Sequence, residues 1–313
     1  VLKNLLKTAD VFIQNLAPGA AARMGLTAES LQKDNPGLTL CAISGYGNDG
    51  PYRDKKAYDL LIQSEAGFLS ITGTPETPSK AGNSIADIAA GMYAYTNILA
   101  ALLQRGKTGK GTVIDISMLE ALSEWMSFPM YYAYKGANPP SRNGASHATI
   151  YPYGPFVAGD GKTVMLGLQN EREWAQFCEI VLENVALAKD ERFDKNFKRH
   201  EKRAELLEII NACFGKLTSE QLIARLEKAQ IANAHLNDMA GLWKHEQLKA
   251  RKRWTEVDTP NGQIAALLPP GLNDSYEYRM DPIPSVGQHT DAILKELGLA
   301  ESEIASMRKS GAI

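Results

Sequence analysis

One helix-length apolar run, with a glycine-rich approach and a strand behind it, limits what this chain can become. Gly91 to Leu103 is apolar apart from Thr96 and Asn97. The run is entered through Gly82-Asn-Ser-Ile-Ala-Asp87-Ile-Ala-Ala-Gly91, after a Gly/Pro-rich turn at Thr72–Ser79. Arg105-Gly106 is expected to break it, and Thr112–Met118 then alternates as a strand. Two earlier apolar segments, Asp10–Gln14 and Leu38–Ser44, also read as strands. Helical patterns lie at residues 2–8 and after Thr27-Ala-Glu-Ser30. Helix and strand in alternation indicate an α/β fold around a parallel sheet. In such sheets the loops leaving the strands are the usual ligand sites, which draws attention to Asn15-Leu-Ala-Pro-Gly19 and the polar loop Gly45–Lys56.

Asp87 stands at the mouth of the apolar helix, in or near its first turn. An acid there is stabilised by free backbone N–H groups and the helix dipole, so Asp87 reads equally as a helix-terminal acid. The other reading is a nucleophilic carboxylate on rigid support. Residue type and position leave both open.

Several classes are disfavoured. A net charge of −2 over 313 residues gives no reason to expect nucleic acid or an anionic membrane as partner. No apolar run of membrane-spanning length and no signal peptide stand out. Cys41, Cys178 and Cys213 are widely spaced, suit a reducing cytoplasm, and lack the spacing of metal ligands. Gly45-Tyr-Gly47 lacks the third glycine of a dinucleotide fingerprint, and Arg105–Gly111 lacks the first glycine of a P-loop.

Leu119–Tyr134 reads as one helix, and its Met and aromatic stripe suits packing or an oligomer contact. Gly136–Ser146 has linker composition. Beyond it come a Gly159-Asp-Gly161 hairpin turn, a strand at Thr163–Leu168, and helices at Glu171–Leu182, Arg203–Cys213 and Ser219–Ala229. The expected division is a large domain over 1–118, a helix and linker over 119–146, a small α+β domain over 147–247, and a return path over 248–313. That last stretch is read as irregular until helices at Asp291–Leu297 and Glu301–Lys309, packing on the large domain.

Six segments occur in a fixed order: Asn15–Gly19 with Arg23-Met-Gly-Leu26, Ser44–Pro51, Lys56-Ala-Tyr-Asp59, Gly82–Gly91, Leu102–Met118 and Val286-Gly-Gln-His-Thr290. Together they resemble the family III CoA transferases, the CaiB/BaiF group, from about residue 1 to the C-terminus. The resemblance implies a Rossmann-like parallel sheet in the large domain, an interlocked homodimer, and coenzyme A or acyl-CoA as substrate, with no permanently bound cofactor or metal. It further implies that a strand–helix region of the family's sheet precedes Val1. In this reading the sequence is truncated or its numbering starts inside the protein.

The same resemblance makes Asp87 the covalent nucleophile and places Asn15, Leu16, Ala17, Arg23, Lys56, Ala57, Tyr58 and Asp59 against coenzyme A. On their own, Lys56 and Arg23 read as solvated cations and Asn15 as a turn residue. A racemase branch of the family uses a histidine where Tyr58 stands, and tyrosine is a poor base near neutral pH, so transfer is favoured over racemisation. A non-catalytic acyl-CoA binding protein is the remaining rival, and the intact Asp87 argues against it. Formyl-CoA transferases carry a glycine run where this chain has Gly144–Tyr153. That segment resembles the branch using succinyl-CoA and small dicarboxylic acids. Arg142 and His147 on it are candidates for the acid's far carboxylate, against the alternative of a solvated linker arginine and a packed histidine.

Overall fold

The structure, a computed structural model, describes residues 1–313. It divides into two compact units, one of Leu6–Leu236 and one of Val1–Leu5 with Asn237–Ile313.

In the larger unit, β1 (Val11–Gln14), β2 (Thr39–Ser44) and β3 (Val113–Ser117) form a parallel sheet in that order. Val11 is in register with Thr39, and Leu40 with Val113. The parallel sheet and its helical crossovers are those expected. The helix Ile85–Thr108 packs on this sheet through Ala86, Ala89, Ala90, Ala94, Ile98 and Ala101, all buried. Small side chains on that face let helix and sheet approach closely, and Ile62, Ile114, Ile116 and Leu122 fill the remaining core.

Three boundaries differ from expectation. The long helix runs through Gly106 to Thr108 and stops at Gly109, whose φ of 70° supplies the left-handed cap. Arg105 helps carry it through: its guanidinium donates to the Asp10 carboxylate at 2.8 Å and to the Gly37 carbonyl at 3.1 Å. The expected helix Tyr58–Phe68 stops at Glu65, because Gly67 takes φ 79°. Leu119–Tyr134 is two helices, Met118–Trp125 and Ser127–Tyr132. Pro129 has no N–H, and its ring would meet the Trp125 carbonyl in a continuous helix.

At 24 residues, Ile85–Thr108 is long and apolar enough by composition to cross a membrane, contrary to the sequence reading. Its alanine face belongs to the core just described. The opposite face leaves Ile88, Met92, Tyr95, Leu99 and Leu103 between 43% and 74% exposed.

The same unit holds a second core on an antiparallel sheet of β4 (Tyr153–Val157), β5 (Thr163–Gly167) and β6 (Ala232–His235). The helices Arg203–Phe214 and Ser219–Lys228 lie where expected, whereas β6 went unread. Arg199 is buried at its centre. It donates to the Tyr151 carbonyl at 3.1 Å, the Phe193 carbonyl at 2.9 Å and the Glu171 carboxylate at 2.7 Å, with its guanidinium over the Trp174 ring.

In the smaller unit, residues 254–267 are not irregular. β7 (Trp254–Thr259) and β8 (Gly262–Leu267) pair antiparallel across Pro260-Asn261. Gly262 takes φ 110°, and the Thr259 hydroxyl donates to its carbonyl at 2.7 Å. The two terminal helices are present at Thr290–Glu296 and Glu301–Lys309. Cys41, Cys178 and Cys213 are free thiols.

Candidate active site

Asp87 is the third residue of the long helix. Ser84, at the cap position, gives no side-chain hydrogen bond. The acceptor comes instead from the helix Asp59–Glu65. Asp59 Oδ1 accepts the Ala86 N–H at 2.8 Å, and its Oδ2 accepts Nε2 of Gln63 at 2.6 Å. Gln63 is fully buried and accepts the Ala81 N–H at 2.9 Å. One acid and one amide thus tie the turn and first amides of the long helix to a neighbouring helix.

The pKa of the Asp87 carboxyl is raised from its ordinary value. Partial desolvation is the first cause and the negative charge of Asp59 the second, although the residue as a whole remains open to solvent. A carboxylate held less acidic is more basic, and so a better nucleophile once ionised.

Tyr58 caps the same short helix with an extended backbone and is 74% exposed. Ala57 is packed tightly. A Cβ on Gly45 would stand 2.2 Å from the Ala57 Cβ, so only glycine fits there. Lys56 is exposed and forms no ion pair. Lys55, passed over in the sequence, is the anchored cation. Its Nζ meets the Glu65 carboxylate and lies 5.0 and 4.4 Å from the ring centres of Tyr46 and Tyr52.

A cleft of about 500 Å³ runs along one face of β1 and β2 and past the start of β3, from Leu40 and Val113 to the loops that leave the strands, where Leu16, Ala17, Gly19, Ser44, Asn48 and Arg53 line it. Asn15 ties the loop after β1 to β2 by donating to the Ile43 carbonyl at 3.1 Å, and the Leu16 N–H donates to Gln14 Oε1 at 2.8 Å. Arg23 folds back over Gly19, where an added Cβ would stand 3.0 Å from Nη1. The loop 45–56 leaves this cleft at Asn48 and Arg53 and returns through Ala57 to Asp59. The sequence-predicted residues therefore fall into two groups joined by one loop. Asn48, Arg53, Lys55 and Gln63 were missed. The Asp59–Gln63 spacing of four on a helix was the one visible hint.

Arg142 and His147 lie on the segment that docks on the 72–79 turn. Arg142 donates from Nε to the Thr74 carbonyl and from Nη2 to the Pro75 carbonyl, both at 2.8 Å, and the Gly144 N–H donates to the Gly73 carbonyl at 2.7 Å. His147 Nδ1 accepts the Thr149 and Ile150 amides at 3.1 Å, and its ring stacks on Tyr153. No group of three or more His, Cys, Asp or Glu side chains is arranged to hold a metal ion.

A parallel α/β sheet and a carboxyl raised in pKa at a helix start are features of an α/β enzyme. Residues 1–290 match the family described as CoA-transferase family III. The chain is 33% identical over 305 residues to succinate–glutarate CoA-transferase of Agrobacterium fabrum, covering 96% of this chain and 76% of that protein. It is 32% identical to succinyl-CoA:glutarate CoA-transferase of Mus musculus, covering 100% and 72%. Among solved structures, a CaiB/BaiF family protein from Brucella suis superposes with TM-score 0.82 at 32% identity, over 95% of this chain and 77% of that one. The chain belongs to CoA-transferase family III and is a CoA-transferase.

Proposed function

We propose that this enzyme moves coenzyme A between an acyl-CoA, of the succinyl type, and a small dicarboxylic acid, through covalent intermediates on Asp87. The observation that carries the reading is the Asp87 carboxyl, raised in pKa and carried on a helix start whose Ala86 amide is held by Asp59. The names of the Agrobacterium and mouse relatives support the substrate class.

In the first step the Asp87 carboxylate attacks the thioester carbonyl. A C–O bond forms, the C–S bond breaks, and the products are a mixed anhydride and the CoA thiolate. The thiolate attacks the aspartyl carbonyl, expelling the donor acid as carboxylate and leaving an aspartyl-CoA thioester. The acceptor carboxylate then attacks that carbonyl, giving a second anhydride and free thiolate. Attack of the thiolate on the acceptor's acyl carbon yields the new acyl-CoA and returns Asp87 to its ionised form. No net proton or electron is consumed, and each step exchanges one acyl–heteroatom bond for another. Coenzyme A is assigned to the cleft of Leu16 and Ala17, with Asn15 holding the loop that carries them. Arg23, Arg53 and Lys56 are the cations offered to its phosphates.

A homodimer belongs to the same proposal. The exposed stripe Ile88, Met92, Tyr95, Leu99 and Leu103, together with exposed Phe128, Met130 and Tyr131, supports burial against a second copy. Light scattering at micromolar concentration should report twice the chain mass.

Incubation with succinyl-CoA, followed by hydroxylamine or borohydride trapping and peptide mass spectrometry, should find the modification on Asp87. Exchange of labelled acid into acyl-CoA with no trapped species on Asp87 would remove the covalent reading.

A further inference from the structure

The turn that leads into Asp87 is gripped at both ends from one neighbouring helix. In that helix, Asp59–Glu65, Ile62 and Gln63 are both fully buried. Ile62 shares a core with Ala86, Ala89 and Ala90 of the long helix, so the two helices are packed together. Asp59 and Gln63 stand four residues apart and share one face. Each takes one backbone amide of the segment before Asp87. Gln63 Oε1 accepts the Ala81 N–H at 2.9 Å, and Asp59 Oδ1 accepts the Ala86 N–H at 2.8 Å. Nε2 of Gln63 closes the frame on Asp59 Oδ2 at 2.6 Å.

Between the two held amides the turn has little support of its own. Gly82, Asn83 and Ser84 are exposed. A Cβ on Gly82 would meet nothing within 4 Å, and Ser84 gives no side-chain cap. The frame supplied by Asp59 and Gln63 is what holds this turn at its ends.

The position of Gln63 calls for an amide. The Asp59 carboxylate only accepts and the Ala81 N–H only donates, so the group between them has to donate at one end and accept at the other. Glutamine does both, in one orientation. A buried network whose members are all paired holds a single geometry. An ionised glutamate of the same shape would instead set a second carboxylate against Asp59.

Attack by a carboxylate depends on its aim, since a misplacement of about 1 Å can cost about a hundredfold in rate. We propose that Gln63 is a positioning residue for the transfer reaction: with Asp59 it clamps the Ala81 and Ala86 amides and so aims the Asp87 carboxylate at the thioester carbon. The proposal rests on the reading of Asp87 as the nucleophile. Gln63 itself is sealed in the core, bonded to Asp59 and Ala81, and acts only through them.

The test compares Gln63→Met and Gln63→Glu with the wild-type chain. It measures kcat per folded molecule against pH, CoA affinity by calorimetry, and hydrogen exchange at the Ala81 and Ala86 amides. Gln63→Met keeps the length of the side chain and cannot pair. It should lower kcat about tenfold to a hundredfold and speed exchange at Ala81. Its CoA affinity should match the wild type's, because Gln63 bonds to no residue lining the CoA cleft.

Gln63→Glu gives a signature that lost stability alone does not produce. Two carboxyls in such contact share a proton, and one of the pair titrates well above its ordinary range. While it holds that proton, the introduced carboxyl donates to Asp59 and accepts from Ala81 as the amide does. This variant should therefore transfer CoA at low pH and lose kcat as rising pH removes the proton, a basic limb that the wild type lacks. If Gln63→Met fails to fold, Gln63→Glu carries the test alone. Wild-type kcat in folded Gln63→Met, or a Gln63→Glu profile without the added limb, would overturn the proposal. So would a fall in CoA affinity as large as the fall in kcat. Near-normal exchange by folded Asp87→Asn would sink the nucleophile reading instead, and amide exchange at Ala81 would still decide whether Gln63 holds the turn.

Discussion

The Asp59 carboxylate accepts the Ala86 amide at 2.8 Å, one residue before Asp87. The helix that carries Asp87 is therefore capped from outside its own sequence. The capping acid is also the like charge that helps raise the Asp87 pKa. One residue holds the helix start that carries the other and, after desolvation, adds to its basicity.

Asp59→Ala should cost about 1–3 kcal/mol of stability, because the Ala86 amide and the Gln63 amide group lose a charged acceptor. Asp59→Asn should retain one acceptor and measurable turnover. In both variants the Asp87 pKa falls, since a neighbouring negative charge is gone. The acid limb of the rate profile should then move to lower pH. A limb that stays in place would show that Asp59 does not act on Asp87 electrostatically.

Gly45→Ala tests the contact behind the site. The new Cβ would stand 2.2 Å from that of Ala57, and atoms that close must separate. The strain is expected to cost about 1–3 kcal/mol, as overpacking does, and to displace the backbone leading into Asp59. Thermal melting should report the first effect, and a loss of kcat beyond the loss of folded protein the second. A melting curve like the wild type's would contradict the contact.

Much of this was legible in the chain, and the reasons for the rest are physical. The three parallel strands follow from apolar runs of strand length, and the place of Asp87 from the glycine-rich entry to an apolar helix. The sequence places the helix end too early because Gly106 reads as a breaker, whereas a glycine inside a helix costs only about 1 kcal/mol and Gly109 provides the stop. The hairpin at 254–267 is hidden because Gly262-Gln-Ile-Ala-Ala-Leu267 shows no alternation of polar and apolar residues, and that strand is exposed almost throughout. Gln63, apart from its spacing of four from Asp59, and Arg199 stay hidden for another reason. Their partners lie 18 residues away at Ala81 and 28 and 48 away at Glu171 and Tyr151, and no local pattern encodes such distances.

Arg199→Met measures how far the second core depends on one buried cation. The substitution keeps the length of the stem but leaves the Tyr151 and Phe193 carbonyls and the Glu171 carboxylate without their donor. A loss of about 3 kcal/mol is expected, seen as a lower denaturant midpoint with an unchanged slope. Glu171 remains partly solvated, so the loss should fall short of that for a fully buried pair. A midpoint within about 0.5 kcal/mol of wild type would mean that methionine packing compensates.

Asp87→Asn separates the two readings of the residue that the sequence left open. Asparagine keeps the shape of the side chain and serves helix starts about as well as aspartate, so a purely structural Asp87 could be replaced at little cost. Asparagine cannot form the anhydride or the aspartyl thioester, so a nucleophilic Asp87 cannot be replaced without loss of transfer by several orders of magnitude. The pH dependence supplies a second, independent signature. The folded-state pKa of Asp87 lies above the ordinary value, so the native state holds this proton more firmly than the unfolded chain does. Its contribution to stability therefore falls as pH rises through that window, and the ionised, attacking form grows over the same range. The wild type should gain activity with pH there while losing a little stability. Asp87→Asn should show neither change and should bind CoA as the wild type does. The decisive measurement is exchange of labelled acid into acyl-CoA by the folded variant, and near-normal exchange would return Asp87 to the role of a helix-terminal acid.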